Sequence, residues 1–329
     1  MIEKQHWHPV ALAHDLTGTP QAVQLLGHDL VLWRDATGAV HAWRDQCPHR
    51  GARLSLGRVQ GGQLECPYHG WRFDAQARCV HVPALPAFTP PATHCAHAHG
   101  AHEAHGLVWV RLENGEADGD TALPVFTAET DARLRKLNCG PYDVAASAPR
   151  IVENFLDMAH FGFVHEGSLG MRSAAAIDDY TVQPTPTGLL ATQCKAWQPQ
   201  SNLHSTAPAQ VEYTYEVTGP YAAVLTKVPD AAAVAIAGYR ESIALYICPI
   251  TPETSRVWFR LAVADFESAD DTLRAFQHGI FMQDKPVLES QRPARLPLDA
   301  RAELHTSADK ASAAYRRHLK SLGITFGVC

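Results

Sequence analysis

The chain has little that would direct it to nucleic acid, to a membrane or out of the cell. Its 28 Lys and Arg are outnumbered by 34 Asp and Glu, a formal net charge of −6, whereas a nucleic-acid binder presents a basic face. No run of about 18 apolar residues is present, so no membrane-spanning helix is expected. The opening stretch, MIEKQHWHPVALAHDL, lacks the long apolar core of a secretory leader. Only two of the eight cysteines, Cys47 and Cys66, stand in metal-type spacing. Cys79, Cys95, Cys139, Cys194, Cys248 and Cys329 are scattered, as reduced thiols in a cytoplasm are. No G-x-G-x-x-G follows a strand-like run, so the chain carries no flavin or nicotinamide fingerprint. Repeats and low-complexity tails are also missing. These absences point to a cytoplasmic protein with no nucleic-acid or membrane partner, one that does not itself take hydride from NAD(P)H.

What is present is a pair of short motifs. Cys47-Pro48-His49 and Cys66-Pro67-Tyr68-His69 each offer one thiolate and one imidazole. In a Rieske [2Fe–2S] centre one iron takes two thiolates and the other two imidazoles, and the neutral imidazoles raise the potential to roughly −150 to +300 mV. Zinc accepts the same ligand types, but zinc modules pair Cys with Cys and His with His. Here each half mixes them, as C-x-H and C-x2-H. Gly51, Gly57, Gly61, Gly62 and Gly70 allow tight turns around the motifs, and Pro48 and Pro67 stiffen them. The mixed pairing favours the cluster over zinc, and Cys47, His49, Cys66 and His69 are its expected ligands.

At 329 residues and 46% hydrophobic content the chain has room for two domains and a sizeable core. Residues 1–112 read as short strands and turns, among them AVQLLG, LVLWRD and VHAWRD, closed by GLVWVRL. ENGEADGDTALP reads as a polar linker. The histidines at 94, 97, 99, 102 and 105 have no sharp partner spacing, and the segment reads as a surface loop leading into GLVWVRL. Residues 113–329 form the second domain. It has a helical stretch around 154–165, strands such as VEYTYEV, YAAVLTKV, SIALYICPI and RVWFRLAVA, and helices at about 270–290 and 308–321. Strands followed by helices predict an α+β domain built on an antiparallel sheet.

A second metal site is expected there. Two His and one carboxylate on one face of an iron leave positions open for oxygen and substrate, and His160 and His165 are candidates for the two His. On a regular helix five residues turn about 500°, which sets the two rings about 140° apart, so one ion needs a distortion between them. Gly162 is the expected place for it. For the acid, Asp284 stands out. Leu273, Phe276, Ile280, Phe281, Val287 and Leu288 form a helical stripe that includes Asp284, and a carboxylate on an apolar stripe is costly unless it binds something. Pro286 should kink this helix locally. The plainer alternative is a surface Asp. Asp157, three residues before His160, lies on nearly the same helix face and is a possible fourth ligand. Trp71 either covers the cluster or is an ordinary core residue. Arg240, next to Tyr239, either pairs with an anionic substrate or is exposed.

The stretches CPHRGARLSLG, LECPYHGWRFD, GLVWVRL, ENFLDMAHFGFVH and QDKPVLESQRP together resemble the Rieske non-haem iron oxygenases over nearly the whole chain, most closely the single-subunit branch that includes vanillate O-demethylase. The resemblance implies an N-terminal all-β Rieske domain and a helix-grip-like catalytic domain. It implies a [2Fe–2S] cluster and a mononuclear Fe(II), with QDKPVLESQ carrying the third iron ligand. It implies that Asp157 bridges the two metal sites of neighbouring subunits, accepting from His69 of one chain and contacting His160 of its own, and that Asn154 lies near the iron. It also implies a homotrimer fed by a separate NAD(P)H-dependent reductase, directly or through a ferredoxin. The activity implied is O2-dependent hydroxylation or oxidative demethylation of a small aromatic or polycyclic substrate. A ring dioxygenase forming cis-diols is the alternative within the class. A non-catalytic Rieske electron carrier or ligand-binding protein is the alternative outside it, and it requires that His160, His165 and Asp284 not converge.

Overall fold

The computed structural model describes residues 1–113 and 122–329. Most of the polar linker read from the sequence therefore lies outside the described residues. The chain divides into two compact units, Lys4–Leu123 and Pro124–Cys329 with Met1–Glu3. The first three residues join the second unit because the Glu3 carboxylate accepts the backbone N–H groups of Thr325 and Phe326. No helix among the described residues is long and apolar enough to cross a membrane.

The first unit is all β. Its strands are β1 His8–Leu12, β2 Gln21–Leu25, β3 His28–Arg34, β4 Val40–Arg44, β5 Arg58–Gln60, β6 Gln63–Glu65, β7 Arg72–Phe73, β8 Cys79–His81, β9 Ala98–Ala104 and β10 Leu107–Arg111. They form a six-stranded sheet in the order β1-β10-β9-β4-β3-β2 and a four-stranded sheet in the order β5-β6-β7-β8. Trp33, Trp43, Leu54, Leu64 and Phe73 fill the core beneath the second sheet. The histidine-rich segment is a loop only in part: His94, His97 and His105 lie outside regular structure, whereas His99 and His102 lie in a strand. Residues Ala98–Ala104 form β9, paired with β10 from Gly100 to Ala104 and with β4 at Ala98 and His99. Ala, Gly and Glu have low strand propensity, but the slot between β4 and β10 leaves backbone groups that only a strand satisfies.

The second unit opens with β11 Arg135–Val144, then α1 Ala148–Leu156 and α2 Phe161–Val164. There follow β12 Thr181–Thr185, β13 Gly188–Gln198, β14 Ala209–Gly219, β15 Ala222–Pro229, β16 Glu241–Thr251 and β17 Thr254–Val263. Last come α3 Asp270–Ser290 and α4 Lys310–Leu322. The strands make one seven-stranded antiparallel sheet, β11-β17-β16-β15-β14-β13-β12. Alternation of long apolar residues along β14 to β17 gives the sheet an inward face, on which the helices pack to form the core. The chain thus has the expected α+β architecture. α4 is tied down by the Arg316 guanidinium, which binds Glu153, Glu303 and the Pro297 carbonyl. α3 runs through Pro286 to Ser290. Its buried positions are Leu273, Phe281, Asp284 and Leu288, whereas Val287, expected on the same stripe, is 44% exposed. Val287 is three residues beyond Asp284 and turns toward the helix's outer edge.

Candidate metal centres

Two loops of the first unit repeat one construction. Each reads Cys-Pro-x-x-Gly, from Cys47 to Gly51 and from Cys66 to Gly70. In each the glycine N–H donates back to the cysteine carbonyl, at 2.9 and 3.1 Å. Each glycine also adopts a left-handed φ, +73° and +69°, which a side chain would resist. The cysteine N–H groups tie down the far ends, Cys47 to the Ala52 carbonyl and Cys66 to that of Trp71, both at 2.8 Å. Buried Asp45 holds the first loop, accepting from Arg53 Nε at 3.0 Å, the Ser55 N–H at 2.7 Å and the Ser55 hydroxyl at 2.6 Å.

This brings the four expected ligands together. Cys47 and Cys66 are buried, and the rings of His49 and His69 lie 4.5 Å apart, His69 exposed. Nδ1 of His49 is buried and has no hydrogen-bond partner among the described residues. Burial pushes the Cys47 thiol up to about 12, with Cys66 beside it adding to the rise, so a thiolate there depends on a bound cation. Two sulfur and two nitrogen donors of this kind suit a Rieske cluster. Trp71 stacks on His49, an expected ligand, at 4.4 Å and 6°, and also packs against the core of this unit.

The second site is built by a break in the chain. Ser147 caps α1, its hydroxyl accepting from the Arg150 N–H, and the helix stops at Asp157, which is extended. The Asp157 carboxylate accepts the N–H groups of Ala159 (3.0 Å) and His160 (3.1 Å), turning the chain into α2. His160 and His165 then flank that four-residue helix. The helix therefore breaks at Asp157–His160, ahead of both histidines, and not at Gly162 as expected; the turn between the two histidines stays helical, and it is His165 that leaves helical geometry, at φ −111° and ψ 33°. Gly162 has another job: a Cβ there would sit 2.8 Å from the Met171 carbonyl oxygen, so the glycine permits close packing of two backbone segments.

The result is convergence. His160 Nε2 and His165 Nε2 are 3.2 Å apart, and Asp284 Oδ1 lies 3.3 Å from the first and 3.2 Å from the second. Donors bound at about 2 Å to one ion sit about 3 Å from each other. Both rings have their other nitrogen occupied. His160 Nδ1 donates to Asp157 at 2.9 Å, and His165 Nδ1 donates to the Gln283 amide oxygen at 2.7 Å. The two Nε2 lone pairs thus face one another, an arrangement that calls for a cation between them. Without one, a proton substitutes: burial acts to lower His160, but Asp157 and Asp284 raise it to about 9. Burial acts to raise Asp284, and the two imidazoles hold it down at about 2. Asn154 Nδ2 donates to Asp284 Oδ1 at 3.3 Å.

Asp157 faces the far nitrogen of His160 and is not one of the converging donors. Gln283 was not singled out from the sequence, although it follows Phe276 by seven and Ile280 by three and so shares their side of the helix. Arg240 forms an ion pair with Asp131 and does not line the cavity beside the triad. That cavity is mostly apolar, walled by Phe155, Phe161, Leu225, Phe276, Ile280 and Phe281.

Comparison with known proteins finds a match for each of the two units. Residues 6–100 match the Rieske [2Fe-2S] domain, and residues 144–323 match the vanillate O-demethylase oxygenase C-terminal domain. The chain belongs to the Rieske non-haem iron oxygenases, and so is an O2-using oxidoreductase, an oxygenase component that receives its electrons from a separate reductase. Within that class it is 33% identical to methylxanthine N1-demethylase NdmA of Pseudomonas putida, across 97% of this chain and 89% of that protein. Methylxanthine N3-demethylase NdmB of the same organism is 29% identical across 98% and 90%. The solved structure of Pseudomonas putida NdmA superposes with a TM-score of 0.82 at 31% identity, covering 97% of this chain and 90% of that one. Part of the chain, 58%, is also 36% identical to oxidoreductase NdmD of Pseudomonas putida, covering 33% of that protein.

Proposed function

We propose that this protein removes a methyl group oxidatively from a small planar heterocycle of the methylxanthine kind. The convergence of His160, His165 and Asp284 at the wall of an aromatic-lined cavity is the observation that carries this reading. The demethylase relatives that match along nearly the whole chain support the substrate class.

In this reading residues 1–112 form the electron-transfer domain and 113–329 the catalytic one. Cys47, His49, Cys66 and His69 hold the [2Fe–2S] cluster, and His160, His165 and Asp284 hold a mononuclear Fe(II). When bound, these groups supply single-electron transfer and the activation of O2. The chain's own residues arrange the rest. Asp157 and Gln283 keep a proton on Nδ1 of each imidazole and so reserve Nε2 for the metal. Asn154 steadies the ligating oxygen of Asp284. The apolar wall keeps water from the methyl being oxidised. Hydroxylation of an N-methyl group consumes O2, two electrons and two protons, releases water, and leaves a hemiaminal that collapses to the N–H heterocycle and formaldehyde.

Electrons come from the NAD(P)H-dependent reductase, directly or through a ferredoxin. The protein works in the cytoplasm as a homotrimer, in which exposed His69 of one chain reaches Asp157 of the next. A carboxylate suits that bridge because it accepts from two imidazoles at once. The test is turnover of the iron-loaded protein with a reductase, NADH and a panel of N-methyl and O-methyl compounds. Formaldehyde equimolar with demethylated product supports the reading. A cis-diol product without formaldehyde would assign the protein to ring dihydroxylation instead.

A further inference from the structure

Tyr215 stands in the middle of β14 with its ring on the cavity wall. Its hydroxyl is buried and has no hydrogen-bond partner among the described residues. A buried unpaired hydroxyl is costly, and such a group beside a ligand cavity is explained by a ligand that completes it. The neighbouring row of the sheet is polar as well. Tyr213 on β14 pairs across to Lys227 on β15, which pairs across to Glu241 on β16. Tyr213 and Lys227 line the same cavity.

These neighbours are already organised. Lys227 Nζ donates to Glu241 at 2.5 Å and to the Ser201 carbonyl at 2.6 Å, which leaves one of its three protons. Glu241 also accepts the Tyr239 hydroxyl at 2.6 Å. Gln198 Nε2 donates to the Tyr213 hydroxyl oxygen at 2.7 Å, so the Tyr213 proton is left to point elsewhere. Burial pushes both phenols above their ordinary range, so they stay protonated. The rings of Tyr213 and Tyr215 are stacked, 5.6 Å apart and 10° from parallel. One further ring, Phe161, links Tyr213 (5.8 Å) to the ligand His160 (4.9 Å).

We propose that Tyr215, with Tyr213 and Lys227, forms a donor-rich subsite that takes a carbonyl oxygen of a neutral, planar substrate. This rests on the reading of the cavity as the substrate pocket. The subsite offers protons but no spare charge, because Glu241 already balances Lys227. An incoming carboxylate would lie beside Glu241 and be repelled, whereas a lactam or imide carbonyl accepts the Tyr215 proton without that cost. The aromatic lining of the cavity suits a flat ring.

The test is anaerobic calorimetry on the metal-loaded protein with three probes. Caffeine is a neutral dione, 1-methylbenzimidazole is a planar N-methyl heterocycle without a carbonyl, and 2-methoxybenzoate is an anion. Wild type should bind caffeine at least about tenfold more tightly than either other probe. Tyr215→Phe should lose about tenfold for caffeine and nothing for 1-methylbenzimidazole. Its melting temperature should equal or exceed that of wild type, since it removes an unpaired buried hydroxyl. The proposal is overturned if wild type binds 1-methylbenzimidazole as well as caffeine or binds neither, or if it prefers 2-methoxybenzoate. It is overturned equally if Tyr215→Phe leaves caffeine binding intact or weakens both neutral probes alike, which would make Tyr215 structural only. Formaldehyde is read separately. Carbonyl-dependent binding without formaldehyde refutes demethylation and leaves the subsite standing.

Discussion

Gln283 accepts the Nδ1 proton of His165 at 2.7 Å, while its neighbour Asp284 places Oδ1 3.2 Å from Nε2 of the same ring. One turn of α3 therefore supplies one candidate ligand and also orients another. Removing the acceptor frees the tautomer and the ring angle. Gln283→Leu should weaken iron retention about 10- to 100-fold and leave the cluster spectrum unchanged. Gln283→Glu, which keeps an acceptor, should recover most of the loss. Equal iron affinity in Gln283→Leu and wild type, measured by competition with a chelator, would show that the contact does not tune the site.

Iron uptake should be coupled to pH through His160. In the metal-free protein this imidazole titrates at about 9, above its ordinary value, because Asp157 and Asp284 outweigh its burial. Its contribution to the stability of that form is full below about 6.5 and is lost as pH rises through about 9. Iron must displace the same proton. Apparent affinity should therefore climb about tenfold per pH unit up to about 9 and then level off, with about one proton released per ion at pH 7. Calorimetry in two buffers of different ionisation enthalpy reads the proton count. A value near zero would contradict the assignment of His160 as a ligand.

Much of this was legible in the sequence, for reasons that differ by site. The cluster loops could be read directly because each motif is local: Cys-Pro-x-x-Gly makes its own turn, and the spacing carries the geometry. Asp284 was legible because a carboxylate on an apolar stripe has few uses. The break between α1 and α2 was not placed correctly. Glycine suggested a bend at Gly162, but the Asp157 side chain makes the turn by accepting two backbone N–H groups, and an Asp inside a helical pattern gives no local sign of that. Strand β9 was missed because Ala, Gly and Glu have low strand propensity and one of its partners, β4, is distant in sequence, although β10 follows after a two-residue turn. Gln283 was missed because an amide on a helix is usually solvated, and only the His165 Nδ1 proton it accepts shows otherwise.

Gly162→Ala tests the packing role of the glycine. The added Cβ would meet the Met171 carbonyl oxygen at 2.8 Å and the Ala175 Cβ at 3.3 Å. Two of the three nearest atoms belong to the Met171 backbone, so α2 has to move, and both flanking histidines with it. The variant should lose about 1–3 kcal/mol of stability and most of its mononuclear iron while keeping a normal cluster. Wild-type iron content and melting temperature would show that the segment relaxes without disturbing the ligands.

Asp157 tests the route between subunits. Asp157→Asn should retain both metals and accept electrons from the reductase, yet slow their delivery to the iron. Mixing is the stricter version. Cys66→Ser removes the cluster and His160→Ala the mononuclear site, so each homo-oligomer should be inactive. Co-expressed, they should regain partial activity, because an intact cluster on one chain serves an intact iron on the next. Verified mixed oligomers that fold, keep their remaining metal and stay inactive would show that each chain passes its own electrons internally.

The most direct measurement is the metal inventory of the anaerobically purified protein and of its Asp284→Ala variant. Two centres of different chemistry on one chain require about three irons and about two acid-labile sulfides per chain, with a Rieske-type EPR signal on reduction. Asp284→Ala should fall to about two irons per chain with the sulfide and the EPR signal unchanged and a normal circular dichroism spectrum. A colourless protein holding stoichiometric zinc at Cys47, His49, Cys66 and His69, or an Asp284→Ala variant that keeps all its iron, would contradict the account.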